Sequence, residues 1–437
     1  MEVPKHVNLS FHFYSPLIKN ILAAFIFLNI FFLFGTWLHN SLLLANKWHI
    51  AQILVSMLNL AEENNAATWY SSTLLLIVAL AAFFCFLVDF QRLKKIQDQI
   101  VNLGWLVLVM IFMILSFDEM GSFHEMIGYT ALFKNMGSSE FAGWYAFNGL
   151  IAIVGLYMMV FSFLKFKDNK KALVFAAIGA LLFISNRFQE NYEMDSWKNS
   201  IDPDNWRRPI FFMILEEGSE IFASFCFLKA FILYALNPDG KNKLGLVNNS
   251  FNIKLNFKRF YIYALAFIIC SGLLMVIIRL NAWQMQGDKG IAHNWFPSFM
   301  GLFVALIGSH LYFLSRSKEW SHKTILLLFI LFGLFISLFY GSNLYASPNA
   351  FLAKISILFI GATVICGGLA LIKLNGFLTK LSIAVGVLCI IVSIYYTQNF
   401  KAAFFGYFAA SFFLLSLIFY YLHVTQESKR NFFKIKE

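Results

Sequence analysis

The sequence predicts an all-α protein, a polytopic integral membrane helical bundle of about 12 spans with both termini cytoplasmic. Of its 437 residues, 59% are hydrophobic and 13% are charged, against about 25% charged residues in a typical soluble domain. Apolar runs of about 17 or more residues, long enough to cross a bilayer, recur along the whole length. The basic residues are concentrated in alternate loops between these runs. We therefore expect the lipid bilayer to be the solvent of this chain.

Twelve predominantly apolar runs are predicted to be helical spans. The stretch 42–60 is shorter and amphipathic, and it contains Trp48 and His49. These residues suit a helix that lies in the membrane interface better than a thirteenth span. The predicted spans are 17–38, 68–88, 101–117, 143–164, 172–190, 209–235, 260–279, 297–314, 324–341, 351–372, 381–396 and 403–423.

The charges of the loops predict the orientation of the bundle. With the N-terminus inside, the loops on the cytoplasmic side contain most of the 34 lysine and arginine residues. Most of the 23 acidic residues fall on the opposite side. Cytoplasmic loops of membrane proteins are enriched in lysine and arginine. We therefore expect a multi-pass protein of the bacterial inner (plasma) membrane with both termini in the cytoplasm.

The longest polar cytoplasmic loop divides the chain into two halves. It covers 237–259 and opens with Asn-Pro-Asp-Gly, a turn pattern that a helix does not continue through. The predicted domains are a six-span half at 1–236, a cytoplasmic linker at 237–259, and an apolar six-span half with a cytoplasmic tail at 260–437. The second half has almost no ionisable residue at depth, so the candidate functional residues lie in the first half.

The distribution of charge argues against a nucleic-acid-binding protein, and the spacing of the cysteines argues against a site built on paired cysteines. The net charge of +11 and the isoelectric point near 9.3 are compatible with nucleic-acid binding. However, the basic residues lie in short loops between spans rather than on one face or tail, so we expect no nucleic-acid partner. The five cysteines fall in apolar spans without a Cys-x-x-Cys pairing, which is typical of small buried side chains. The sequence does not indicate protein partners.

Acidic residues at the predicted outer ends of four spans form the candidate site. Glu216, Glu217 and Glu220 lie inside the sixth predicted span. A carboxylate at the centre of a span costs about 3 kcal/mol on insertion scales. A purely structural span therefore has little reason to contain three of them. The residues that the topology brings to the same level from the second, third and fifth spans are Glu62, Glu63, Asp118, Glu119, His124, Glu125, Glu190 and Glu193.

The spacing of these residues allows several oxygen ligands and one imidazole to converge. Glu216 and Glu220 are four residues apart and share a helix face. Asp118 and Glu125 are seven apart and share one if the helix continues through Gly121. Inward-facing Glu and His residues of helical bundles build two-metal carboxylate sites, although the usual Glu-x-x-His pairs are missing here. Such ligands suit iron or manganese. The predicted metal ligands are Glu63, Asp118, Glu119, His124, Glu125, Glu190, Glu216 and Glu220.

Each candidate residue also has a structural interpretation. Acidic residues at helix ends are commonly solvated. Arg187 lies three residues before Glu190 and is a natural ion-pair partner for it. A single histidine such as His124 is more often structural than a ligand. Glu216 and Glu220 are the hardest to explain structurally, because they lie deep within a span.

Three short motifs at these positions resemble those of an uncharacterised family of bacterial multi-pass membrane proteins. The resemblance covers about 61–235, so the last six predicted spans lie outside it. It supports the acidic site and implies no particular reaction. Phe117 stands where the family usually has leucine. The motifs are Thr-Trp-Tyr-Ser-Ser at 68–72, Ser-Phe-Asp-Glu at 116–119 with His-Glu at 124–125, and Leu-Glu-Glu-Gly-Ser-Glu at 215–220.

Three functions are compatible with this pattern. The first is a metal-dependent membrane enzyme that acts on a lipid or small molecule near the outer leaflet. The second is a proton- or cation-coupled transporter in which Glu216 and Glu220 titrate during transport. The third is a non-catalytic assembly partner that docks through its aromatic spans. A transporter needs a polar path across the membrane, and the sequence shows acids on one side only, which favours the enzyme.

Overall fold

A computed structural model describes seven helices and two strands of this chain, together with shorter helical pieces. The described residues are 6–13, 15–45, 55–62, 65–92, 101–121, 142–198, 209–238, 249–256, 297–302, 304–305, 308, 320–341, 383–384, 387–389, 407 and 411. The elements in chain order are β1 (His6–Phe13), α1 (Ser15–Ala45), α2 (Ala66–Arg92), α3 (Gly104–Gly121), α4 (Ala142–Phe166), α5 (Lys170–Lys198), α6 (Ile210–Leu236), β2 (Asn249–Asn256) and α7 (Trp320–Gly341).

The seven helices overlap predicted spans one to six and span nine. Within the described residues, three helical segments are long and apolar enough to cross a membrane, namely Ile18–Ser41, Ala66–Phe90 and Ile210–Leu236. Ala152–Phe166 is a shorter apolar helix. The prediction of a helical protein is thus confirmed for this part of the chain, and three of its helices could span a membrane. Predicted spans 260–279 and 351–372 lie outside the described residues, and only a few residues of 381–396 and 403–423 are described.

Large apolar side chains are exposed on the outer faces of these helices. Phe27 of α1 is 67% exposed, and Ile153 of α4 is 68% exposed. Leu181 of α5 is 64% exposed. Exposed apolar surface of this kind is typical of faces that contact a membrane or another protein. Lipid contact would account for it in a membrane-associated protein.

A two-stranded antiparallel ribbon departs from the all-α prediction. β1 pairs with β2, so the segment before the first span lies beside the segment that the sequence analysis assigned to the linker. Both strands alternate apolar and polar residues, the period of two that is typical of strands. The register places Leu9 opposite Ile253 and Asn8 opposite Lys254, so residues of like polarity pair across the ribbon. The two strands are 235 residues apart in the chain, so local reasoning could not pair them.

The chain forms two compact units. The first comprises Met1–Glu63 and Tyr70–Tyr261, and the second comprises Asn64–Trp69 and Ile262–Glu437. In the second unit, residues 297–302 lie against α7, where a Cβ atom on Gly301 would come within 2.7 Å of the Gly333 carbonyl oxygen. Such close packing of small residues is typical of helices in membranes.

In the first unit, α6 packs against both α1 and α5 in antiparallel orientation. Asn29 of α1 donates a hydrogen bond to the Ile221 carbonyl at 3.4 Å, and Asn40 lies 3.2 Å from the Met213 sulfur. On the other side of α6, Gly179 of α5 allows close contact, because a Cβ atom there would lie 3.0 Å from the Ala223 carbonyl oxygen. α6 is therefore the central helix of this unit, and its residues can face either neighbour.

Candidate functional site

The three glutamates of α6 are partly buried, near the beginning of that helix. At 1.5 Å per residue, Glu216 and Glu220 lie roughly 9 and 15 Å along the axis from Ile210. None of the three is without an interaction partner. They belong to a helix that is long and apolar enough to cross a membrane.

Glu220 is held by an amide of the neighbouring helix. Asn186 of α5 is 3% exposed and donates a hydrogen bond from Nδ2 to Oε1 of Glu220. The Ser219 hydroxyl lies 3.4 Å from the other end of this amide, Oδ1 of Asn186, and 2.8 Å from the Glu216 carbonyl oxygen. Because the hydroxyl lies beside Oδ1, the amide presents its NH₂ group to the carboxylate. The α5–α6 contact therefore fixes the position of one Glu220 oxygen.

The three glutamates divide between two faces of α6. Glu216 is one turn before Glu220 and shares the face that contacts α5. Glu217 is one turn before Ile221, whose carbonyl accepts a hydrogen bond from Asn29 of α1. Helical spacing therefore places Glu217 towards α1, and a Cβ atom on the adjacent Gly218 would lie 3.5 Å from Leu33 of α1. The predicted pair Glu216 and Glu220 is thus separated from its sequence neighbour Glu217.

A second polar group lies at the C-terminal end of α1; sequence analysis named its Glu62 but missed its His39. Nε2 of His39 lies 3.0 Å from Oε1 of Glu62, and the His39 side chain is only 6% exposed. Asn29 and Thr36 are also fully buried on α1. The signal was available, because these residues follow helical spacing within an otherwise apolar run. The prediction considered acidic residues in the spans and overlooked these buried polar side chains of α1.

A third group lies at the other end of the bundle and overturns the argument that polar residues occur on one side only. Asp89 is 3% exposed and accepts hydrogen bonds from Lys165 at 2.7 Å, Trp105 at 2.9 Å and Tyr234 at 2.8 Å. Tyr234 is 14 residues beyond Glu220 on α6, which is roughly 21 Å along the axis. The second predicted span ended at residue 88, but α2 continues through Asp89 to Arg92. The charge is tolerated because three donors from three other helices satisfy it.

The remaining predicted ligands are only partly described. Asp118 and Glu119 are partly buried in the last turn of α3, and neither lacks an interaction partner. Their helix contacts α2 through Ser116, whose Oγ lies 3.0 Å from the Oγ of Ser72. Among the described residues, no three His, Cys, Asp or Glu side chains group closely enough to hold a metal ion. The predicted ligands that lie outside the described residues, or whose side chains are not described, are Glu63, His124, Glu125 and Glu190.

The fold and these polar groups define a helical, membrane-associated protein with buried polar clusters near both ends of its first unit. Residues 21–235 match a family model described as a domain of unknown function, DUF8692. The matched region is just under half of the chain and includes all three groups. Comparison with curated proteins found no match, and comparison with solved structures found none either.

Proposed function

We propose that the chain is a multi-pass protein of the bacterial inner membrane with an outward-facing carboxylate site. The site binds iron or manganese and serves a metal-dependent reaction on a lipid or small molecule. The observation that carries this proposal is the hydrogen bond from Asn186 to Glu220 within a membrane-spanning helix. A carboxylate at such depth is costly and is usually functional. Glu216, one turn away on the same face, supplies a second set of oxygen atoms.

Positioning by a neighbouring amide is what a metal ligand requires. Ligating carboxylates are commonly oriented by hydrogen bonds from surrounding groups, which leave the remaining lone pairs for the metal. Asn186 donates to one oxygen of Glu220. Carboxylate oxygens suit manganese and iron, as well as hard cations such as magnesium. The imidazole of His124 and the carboxylates of Glu63, Asp118, Glu119, Glu125 and Glu190 stay proposed members of this site.

The packing between the two ends favours an enzyme over an open pathway. Phe112, Phe227 and Phe231 form a layer of ring contacts with centroid distances of 5.4–5.9 Å. All three rings are buried. This apolar layer lies between Glu220 and the Asp89 group. A reaction at the outer side needs no passage through it.

A transporter is the second candidate, and the Asp89 group favours it. A carrier needs polar groups at both ends of its path, and Asp89 with Lys165 supplies the second one. In this alternative the phenylalanine layer would have to open during the cycle. Glu216 and Glu220 would then bind the coupling proton or cation.

Metal content separates the two candidates. Metal per chain should be measured by mass spectrometry for wild type, Glu220→Gln and the matched control Glu217→Gln. The enzyme proposal expects stoichiometric metal that Glu220→Gln loses, because an amide oxygen is a weaker ligand than a carboxylate. Glu217→Gln should retain the metal, because Glu217 lies on the α1 side.

The same variants should be tested for flux in proteoliposomes after a pH jump. Wild-type protein without stoichiometric metal, but with flux whose pH dependence Glu220→Gln abolishes, would replace the enzyme by the transporter. Equal metal content in wild type and Glu220→Gln would remove Glu220 from the proposed metal site.

The proposed topology has about 12 spans with both termini in the cytoplasm. The observed helices at seven predicted spans support it, and so does the β1–β2 pairing, which brings the N-terminal segment and the linker together. A single cysteine at Ser200 should react with a membrane-impermeant reagent from outside, whereas Asn65, on the same predicted side, is 4% exposed and is not a labelling site. Cysteines at Asn242 and Lys429 should react only from the cytoplasmic side. Labelling of Ser200→Cys from the cytoplasm alone would contradict this orientation.

A further inference from the structure

The buried imidazole of His39 is not explained by the hydrogen bonds of the described residues. Its side chain is 6% exposed, and Nε2 lies 3.0 Å from Oε1 of Glu62. Nevertheless, neither ring nitrogen of His39 makes a hydrogen bond within the part of the chain that the structure describes. The distance to Glu62 is that of an ion pair, but its direction is not that of a hydrogen bond. A buried polar group without a hydrogen bond lowers the stability of the fold by about 1–3 kcal/mol.

The backbone holds His39 and Glu62 together. The Leu60 amide donates a hydrogen bond to Thr36 Oγ1 at 2.9 Å, one turn before His39. Gly35 lies so close to Leu58 that a Cβ atom on the glycine would clash with the leucine side chain. These contacts hold residues 58–60 against α1. Glu62 is two residues beyond this segment, so its backbone lies close to His39. The position of the pair is therefore set by the fold rather than by two flexible side chains.

We propose that His39 and Glu62 bind a divalent transition-metal ion of the zinc type. Zinc bonds to histidine nitrogen and carboxylate oxygen at about 2.0–2.2 Å. Two such ligands at the tetrahedral angle around one ion are about 3.3 Å apart, close to the 3.0 Å between Nε2 of His39 and Oε1 of Glu62. A bound ion would use the lone pair of Nε2, which makes no hydrogen bond to any described residue. Imidazole is a poor ligand for calcium and magnesium, so a transition metal is favoured.

Access to this pair is through Glu62, the more exposed of the two side chains. The Glu62 side chain is 48% exposed, whereas His39 is buried behind it. An ion can therefore approach through Glu62 and keep water molecules in its remaining coordination positions, as zinc does in open sites. Asn40, which follows His39 on α1, contacts Met213 of α6. Met213 lies about one turn before Glu217. The pair is thus distinct from the Glu216–Glu220 face, and its binding does not depend on the proposed function of that face.

Zinc titration of the purified full-length protein in detergent tests the proposal. Binding should be measured by calorimetry for wild type, His39→Gln, Glu62→Gln and Asn40→Ala. We expect saturable Zn²⁺ binding in wild type and at least a tenfold weaker affinity in His39→Gln and Glu62→Gln. Asn40→Ala is the matched control at the same end of α1 and should bind as wild type does. His39→Cys supplies another zinc ligand and should retain binding.

Two further results decide the outcome. The titration should be repeated in a Glu220→Gln background, where zinc binding that His39→Gln or Glu62→Gln abolishes can be assigned to this pair and not to the α5–α6 face. Absence of saturable Zn²⁺ binding in wild type would overturn the proposal. Unchanged stoichiometry and affinity in Glu62→Gln would also overturn it. That variant alters a half-exposed side chain and remains decisive if His39→Gln does not fold.

Discussion

Asn186 of α5 donates its side-chain amide to Glu220 of α6, and this contact joins two helices at the level of the candidate site. Asn186 is 3% exposed, so water does not replace it as a donor. The hydrogen bond holds Glu220 against α5. It also makes Asn186 a positioning residue that can be altered without touching a carboxylate.

Asn186→Ala is expected to weaken metal binding at the Glu220 site by about 10- to 100-fold. Loss of a group that orients a metal ligand typically has an effect of this size. Metal affinity measured by competition with a chelator is the readout. Ser185→Ala is the control, because the Ser185 hydroxyl bonds only to the Leu182 carbonyl of its own helix among the contacts described. Equal loss in both variants would indicate damage to α5 rather than loss of positioning.

Asp89 and Lys165 are expected to depend strongly on each other for stability. Asp89→Asn should destabilise the protein by about 3–5 kcal/mol, because it leaves Lys165 buried without its carboxylate. Adding Lys165→Met should recover a large part of this loss, since no buried charge then remains. Thermal unfolding in detergent, analysed as a double-mutant cycle, measures the coupling.

Asp168→Asn is the control for that cycle. Asp168 is exposed in the turn between α4 and α5. A surface substitution of this kind should change stability by no more than about 0.5 kcal/mol. Additive losses from Asp89→Asn and Lys165→Met would mean that the observed ion pair contributes nothing as a pair.

Gly179→Ala should push α5 and α6 apart. The new Cβ atom would lie 3.0 Å from the Ala223 carbonyl oxygen and 2.9 Å from the Phe227 ring. Overpacking of this kind costs about 1–3 kcal/mol. Gly155→Ala is the matched control, because no atom lies within 4 Å of its added Cβ. It should be neutral or stabilise α4 by up to about 1 kcal/mol. Similar unfolding temperatures for the two variants would argue against the close approach at Gly179.

The register of the ribbon can be tested by cross-linking. In a background without native cysteines, Asn8→Cys with Lys254→Cys should form a disulfide on mild oxidation. These residues are direct partners in the register, and such pairs have Cβ atoms about 4.5–5.5 Å apart. Asn8→Cys with Leu255→Cys is the offset control, because adjacent residues of a strand point to opposite faces. Equal cross-linking of both pairs would exclude this register.

Much of the helical architecture follows from composition. Seven predicted spans coincide with helices because an apolar run of span length has few alternatives: its backbone groups must be satisfied within the segment. The depth of Glu216 and Glu220 in α6 was predictable for the same reason. The division of the glutamates between two faces was predictable only in part, since spacing fixes which residues share a face but not which helix that face meets.

The sequence by itself determined that this is a helical protein with segments long and apolar enough to cross a membrane and with carboxylates inside one of them. Hydropathy and helical spacing are local properties, and they can be read within one segment. Only the tertiary structure decided that Asn186 holds Glu220, that His39 lies against Glu62, and that Asp89 is buried among donors from three other helices. It also decided the pairing of β1 with β2. These contacts join residues far apart in the chain, so they depend on how the helices and strands pack rather than on the pattern within any one of them.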